Sequence, residues 1–348
     1  MKRLSFQIGD RTIGNGNPVL IQTMGDHKTE DYITAYEETN RLKKMGLDLM
    51  RFSVLDKEDA KAFSRIRSKT DIPLIADIHF DSNLALAAIE AGADKIRINP
   101  GNIGGEAKLR TVIRACREKR IPMRIGVNSG SLMAFRGKTS SPVDDFFLAL
   151  DDTLRVFKEE DYDLLVLSLK SSDPKEAKIL YERAYRDYPY PLHIGVTESG
   201  FGTMGSLKSA YGLIPLLEEG IGDTIRVSLS DDRKEELRAC KTLLSLTGRR
   251  KDIPDLIVCP ACGRTKIDLR PISRLVADHL DYILKPVKVA VMGCPVNGIG
   301  EARNADYGIA GSGMEGVYLL FQKGKSLGTF PEKEALAKLF ALIDGFQG

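Results

Sequence analysis

The chain has 348 residues, a net charge of +3, and hydrophobic and charged fractions of 43% and 28%, the balance of a globular protein with room for one large domain and a smaller one. No window reaches the ~18 consecutive apolar residues of a membrane span. The basic start "MKRLSFQIGDRTIG" lacks the apolar stretch of a secretory signal, so a cytoplasmic protein with no membrane partner is expected. Lysines and arginines are scattered among acids instead of forming a stripe, which argues against nucleic acid as a partner.

In chain order, short apolar runs alternate with helical patterns. The runs are "VLIQTM" at 19, "LDLMRFSV" at 47, "IPLIADIH" at 72, "KIRINPG" at 95, "MRIGVNS" at 123, "LLVLSLK" at 164, "PLHIGVTE" at 191 and "TIRVSLS" at 224. Helices follow at about 31–44, 57–67, 83–91, 105–118, 143–160, 174–187, 206–219 and 232–247, with Asp56, Ser82, Asp173 before Pro174, Ser206 and Asp231 as start signals. Strands buried on both faces and alternating with helices belong to parallel α/β structure. Eight units in this length fit an N-terminal (β/α)8 TIM-type barrel over 1–247. A linker at 248–258 and a smaller C-terminal α+β domain at 259–348 follow, with helices near 271–285 and 331–344 and strands at "VKVAVMG" and "GVYLLFQKG".

Polar residues recur at even spacing where the barrel runs end: Arg51 with Ser53, Asp77 with His79, Arg97 with Asn99, Arg124 with Asn128, Ser168 with Lys170, and Arg226 with Ser228. Even spacing puts each set on one strand face, and strand ends are where a barrel collects its binding groups. A charge on such an enclosed strand is expected only at the solvent-reachable mouth. Arg51, Arg97, Arg124, Lys170 and Arg226, with few acids nearby, point to a ligand with several negative charges, most simply two phosphates. Pairing of individual arginines with helix acids is the alternative.

Two Gly-rich stretches, "NPGNIGGEA" (99–107) and "SGFGTMGSLKSA" (199–210), offer backbone N–H groups to an anion, and Lys208 adds a charge. The G-x-G-x-x-G of Gly200, Gly202 and Gly205 is not read as a dinucleotide fingerprint, because the next acid, Asp223, precedes the following strand instead of ending it. Glu198 closes the seventh run, with His193 earlier on it; it is either a general acid/base or a charge partner of a nearby cation. Asp77 and His79 are too few for a metal site, and Asp77 is expected to orient a basic side chain.

Of five cysteines, Cys116 and Cys240 lie in amphipathic helical patterns and read as packing residues, and an odd count argues against a disulfide framework. Cys259 and Cys262 of "CPAC" and Cys294 of "VMGCPVNGIGE" lie in Gly/Pro-rich loops. Two thiolates three apart can chelate one metal centre. No second C-x-x-C or His pair completes a zinc ribbon. A 4Fe–4S cluster wants four ligands, and Glu301 is the nearest oxygen donor in a similar loop; ligand count favours the cluster, with zinc still open.

The stretches "ADIHFD", "RINPGNIG", "RIGVNSGSL", "GVTESG", "SAYGLIPLLEEGIGDTIRVSL", "CPACGRT" and "GCPVNGIGEA", spread in order from about residue 18 to 310, resemble the bacterial 4-hydroxy-3-methylbut-2-enyl diphosphate synthases of isoprenoid biosynthesis. The resemblance implies reductive opening of 2-C-methyl-D-erythritol 2,4-cyclodiphosphate, with two electrons from reduced ferredoxin or flavodoxin through a 4Fe–4S cluster. By residue match Cys259, Cys262, Cys294 and Glu301 would hold the cluster, and Glu301, the more exchangeable ligand, would also be catalytic. The arginines, Asp77, Asn99, Asn128, Lys170, His193, Lys208 and Ser228 would form the substrate site, and Glu198 would assist proton transfer.

Helix 232–247 would carry the chain roughly 24 Å away from the barrel mouth. An 11-residue linker spans back at most about 36 Å, so a head-to-tail homodimer is the simpler arrangement. Two rival readings stay open: a phosphate-ligand barrel enzyme with a structural zinc module, and a non-catalytic iron–sulfur sensor or electron carrier.

Overall fold

The computed structural model describes residues 2–99, 102–127, 135, 137–139, 141–265, 267–296, 300 and 302–347. Asn128 and Glu301 lie outside these residues. The chain divides into two compact units, Met1–Arg249 and Arg250–Gly348. Among the described residues no helix is long and apolar enough to cross a membrane.

The first unit opens with an antiparallel hairpin, β1 (Ser5–Ile8) and β2 (Arg11–Gly14), which the sequence reading missed because each arm is only four residues long. Ile8 and Ile13 are fully buried against Leu20, Leu49, Ile75 and Val166. Those four are the first or second residues of their strands, so the hairpin plugs the barrel at its strand-start end. Eight parallel strands follow: β3 (Leu20–Met24), β4 (Leu49–Val54), β5 (Leu74–Ile78), β6 (Lys95–Ile98), β7 (Met123–Val127), β8 (Leu165–Leu169), β9 (His193–Ile194) and β10 (Thr224–Ile225). They are ordered β8-β7-β6-β5-β4-β3-β10-β9. A parallel bridge between Leu167 and Leu192 closes the ring.

Between and after the strands run α1 (Tyr32–Lys44), α2 (Lys57–Arg67), α3 (Ser82–Glu90), α4 (Glu106–Lys119), α5 (Pro142–Glu159), α6 (Pro174–Asp187), α7 (Gly202–Glu218) and α8 (Arg233–Leu246). Asp56 and Asp173 cap α2 and α6 as expected, accepting from the amides of Asp59 and Lys175. Asp81 and Asp232 take the caps expected of Ser82 and Asp231. Helix α7 corrects the sequence reading more strongly. It begins at Gly202, not near 206, so Gly202 and Gly205 belong to the helix and Lys208 sits on it. Glycine's low helix propensity hides that start, and Asp231 stabilises it by accepting from the Gly202 amide at 2.6 Å.

The second unit is a five-stranded sheet, β11 (Asp255–Val258), β12 (Lys288–Met292), β13 (Tyr307–Gly311), β14 (Val317–Gln322) and β15 (Lys325–Pro331), in sequence order. The first three strands are parallel and the last two antiparallel. Strand β11 ends directly before the C-P-A-C turn, within residues 248–258. Helices α9 (Leu269–Leu280) and α10 (Glu332–Asp344) bury Ile272, Val276, Leu339 and Ile343 against Val289, Val291 and Ile309. Because β11, β12 and β13 run the same way, the loops after them meet at one end of the sheet.

Candidate active site

The barrel interior is a cup of cations. Register places Asp77 beside Arg97, and Arg97 beside Arg124, on the face that points inward. One Asp77 oxygen accepts from Arg97 Nη1 at 2.8 Å and lies 3.4 Å from His79 Nε2; the other is 3.5 Å from Arg51 Nε. Burial pushes the Asp77 carboxyl up, but Arg51, His79, Arg97 and Arg124 outweigh it and hold the group well below the usual carboxylate range. Asp77 therefore arranges cations, as expected of it. Gly126 makes room for this: a Cβ there would stand 3.2 Å from Arg97 Nη2.

Arg124 carries the strongest signal. It is 0% exposed, and none of its three guanidinium nitrogens has a hydrogen-bond partner among the described residues. Buried polar groups are normally satisfied, so this one is aimed at something the described residues do not supply. Around it, Lys170 and His193 have their basicity depressed, first by burial and then by the arginines. The same causes lower Arg51 to about 10, although Asp77 opposes them. His193 Nδ1 lies 2.7 Å from Thr224 Oγ1. The expectation that strand charges sit only at the mouth is corrected: Arg124 and also Lys95 are fully buried in the interior.

The expectation of few nearby acids is corrected too. Glu236 on α8, 1% exposed, takes Arg226 bidentately at 3.1 and 2.9 Å. It also accepts from Arg233 at 2.5 Å, the Thr23 hydroxyl at 2.5 Å and the Leu229 amide at 3.1 Å. The alternative of pairing with a helix acid is thus realised at Arg226. Lys95, Glu236 and Arg233 were missed. Lys95 has the same parity as Arg97 and Asn99 and was legible; Glu236 is one acid among many on a helix and was not.

Asn99 is buried just past β6, Ser228 is half-buried past β10, and Lys208 is half-buried on α7. Glu198 is exposed after β9, with φ +52°, and no ion pair among the described residues reaches it. Phe80, after β5, also has φ > 0 and is 70% exposed. Two non-glycine residues held left-handed at strand ends mark a site where strain is tolerated.

Asp26, His27 and Glu38 bring their ligand atoms within 4.8 Å of one another. Burial and then Asp26 raise the Glu38 carboxyl to about 7, and its Oε2 is unpartnered. A raised acid binds more protons folded than unfolded, so it costs stability as pH climbs from about 4.5 to about 7. Glu38→Gln is expected to lose less melting temperature than wild type between pH 5 and pH 8. Parallel melting curves would overturn this.

In the second unit Cys259 follows β11, its amide donating to the Val291 carbonyl at 3.1 Å. Its sulfur accepts from the Gly293 amide at 3.3 Å, just before Cys294. A Cβ on Gly293 would lie 2.6 Å from Thr265 Oγ1, which itself accepts from the Cys262 amide at 3.1 Å. Ala261 between the first two cysteines has φ +62°, a conformation costing about 1–2 kcal/mol. The Arg264 amide lowers the Cys262 thiol; burial opposes it, and the Arg264 guanidinium charge adds to the lowering. The three cysteines thus gather at one sheet end. By contrast, burial pushes Cys116 and Cys240 up to about 12, as inert packing thiols.

The barrel resembles that of dihydropteroate synthase from Stenotrophomonas maltophilia, at 14% identity and TM-score 0.53 over 70% of this chain and 96% of that one. A Yersinia pestis dihydropteroate synthase matches at 11% identity and TM-score 0.53, covering 70% and 100%; at such identities the likeness speaks for the fold alone. The 4-hydroxy-3-methylbut-2-en-1-yl diphosphate synthase (flavodoxin) of Geobacillus kaustophilus is 45% identical over 346 residues, 99% of this chain and 92% of that protein. The protein of the same name from Bacillus subtilis is also 45% identical, covering 99% and 91%. Residues 4–241 match the GcpE TIM-barrel domain and residues 255–345 the GcpE protein C-terminal domain. With both domains matched in order and relatives aligned end to end, this chain belongs to the GcpE family.

Proposed function

We propose that this chain is an oxidoreductase of isoprenoid biosynthesis. It opens 2-C-methyl-D-erythritol 2,4-cyclodiphosphate reductively to 4-hydroxy-3-methylbut-2-enyl diphosphate, with two electrons from reduced flavodoxin, the donor in its relatives' name, or from ferredoxin. The observation that carries the reading is Arg124, a buried guanidinium with no hydrogen-bond partner among the described residues, in a cup whose cations outnumber Asp77 and Glu236. A diphosphate supplies the missing acceptors. Arg51 and Arg97, held by Asp77, orient it, with Lys170 and His193 behind and Asn99, Asn128, Lys208 and Ser228 as further contacts. Glu198 is exposed on a strained backbone and free to move a proton.

Cys259, Cys262 and Cys294, with Glu301 as fourth ligand, would hold a 4Fe–4S cluster, which supplies electrons singly when bound. The Arg264 amide and charge favour the thiolate at Cys262, and a reducing cytoplasm would keep the thiols free.

A head-to-tail homodimer suits the chain direction, since α8 runs from the strand ends toward the far end of the barrel. Exposed apolar residues support it: Leu55, Phe80 and Phe201 at the barrel's strand ends, and Val258, Val296 and Met314 at the cysteine end of the second unit.

Anaerobically purified protein should be brown, contain iron and sulfide, and consume the cyclic diphosphate with a chemical reductant. Arg124→Ala and Cys294→Ser should each be inactive alone and recover part of the activity when mixed as heterodimers. A colourless zinc protein, or an iron-loaded protein that leaves the cyclic diphosphate untouched, would reject the activity. Absence of complementation would reject the dimer.

A further inference from the structure

Lys95 has no part in the reading above, yet it is one of the largest fully buried side chains in the molecule. It opens β6 on the inward face, two residues before Arg97. Its amine donates to Gln22 Oε1 at 3.2 Å. The charged and titratable groups facing the same interior are Arg51 from β4, Asp77 from β5, Arg97 from β6, Arg124 from β7, Lys170 following β8, His193 from β9 and Arg226 following β10. Asp77 is engaged by Arg51, Arg97 and His79, and Arg226 by Glu236.

We infer that Lys95 is a positioning residue of the anion cradle, taking up a proton from solvent as the phosphates of the ligand enter beside Arg124. The inference rests on the proposed diphosphate site. An ammonium enclosed among arginines, with only a neutral amide for a partner among the described residues, is expensive to keep charged. Burial first, and then Arg124 and Arg51, lower its basicity well below that of an ordinary lysine. A neutral amine relieves the crowding while the cup is empty. An incoming polyanion supplies the counter-charge, so protonation and binding reinforce one another. Lys170 and His193 share part of this situation. Lys170, however, is only half-buried at its strand end, and His193 already has Thr224 on one ring nitrogen.

The test is calorimetric titration of the full, anaerobically prepared chain with the cyclic diphosphate, in buffers of different ionisation enthalpy near pH 7.5. Wild type should take up protons on binding, and Lys95→Met about one fewer per site. Affinity should fall about tenfold in Lys95→Met for each pKa unit by which the ligand lifts the amine above the working pH, with the difference vanishing at strongly alkaline pH. Without ligand, Lys95→Met should melt no lower than wild type, because it replaces a neutral amine with an apolar side chain of similar length. Binding by wild type without proton uptake overturns the inference without recourse to any variant. An unchanged proton count and affinity in Lys95→Met overturns it too, and assigns any uptake to Lys170 or His193. Wild type that fails to bind the cyclic diphosphate at all removes the diphosphate site along with it.

Discussion

Arg124→Met is expected to abolish useful binding of the cyclic diphosphate while leaving the barrel at least as stable as wild type. The two effects have opposite signs because one guanidinium serves only one of the two states. In the unliganded protein it is fully buried, its three nitrogens without a hydrogen-bond partner among the described residues, so the fold bears its desolvation with no such bond in return. Methionine keeps most of the volume and removes that cost. In the liganded protein the same group would meet phosphate oxygens in a site closed to water. Truncating one partner of such a pair costs about 2–5 kcal/mol, or about 30-fold to several thousand-fold in affinity. Thermal melts with and without the cyclic diphosphate read both effects. Wild type should gain melting temperature with ligand, and Arg124→Met should start no lower and gain nothing. A variant that melts far below wild type and still responds to ligand would make Arg124 a structural residue.

Glu236→Ala should do the reverse and produce the largest loss of stability of any single change in the barrel. The carboxylate is 1% exposed and neutralises two arginines, Arg226 and Arg233, while accepting from Thr23 and the Leu229 amide. It ties α8 to β3 and to the segment after β10. Its loss strips Arg226 of its carboxylate and leaves Arg233 to the more distant Asp26 at 3.5 Å, which costs about 3–5 kcal/mol. For a domain of this size that is a fall of about 6–20 °C in melting temperature. Glu236→Gln, which keeps an acceptor and loses the charge, should fall between wild type and alanine. A change of less than about 1 kcal/mol in both variants would mean that Arg226 and Arg233 find other partners.

Arg124 and Glu236 also mark what the amino-acid order can and cannot convey. The eight strand–helix units were legible from end to end, because burial on both faces leaves β-runs apolar and helices keep their own period. The cysteine loops were legible because thiols, prolines and glycines rarely cluster without cause. The inward parity of Arg51, Asp77, Arg97 and Arg124 followed from even spacing on single strands. Those are local regularities, and local regularities are written in sequence.

Which charges pair with which is settled across the barrel. Arg226 meets an acid ten residues on, and Asp77 gathers cations from two other strands, Arg51 and Arg97, besides His79 two residues on. The Arg124 guanidinium hydrogen-bonds to no side chain among the described residues. The short hairpin β1–β2 and the early start of α7 escaped for a similar reason: four-residue arms and glycine-rich turns have weak propensity of their own and are held by what they pack against. Sequence by itself determined the barrel, the second domain and the residue types of the site. Tertiary structure alone decided that Glu236 neutralises its share of the cations, and that Arg124 and Lys95 stay enclosed with no hydrogen-bonded anion among the described residues, because the energy of a buried charge depends on every neighbour the fold brings within reach.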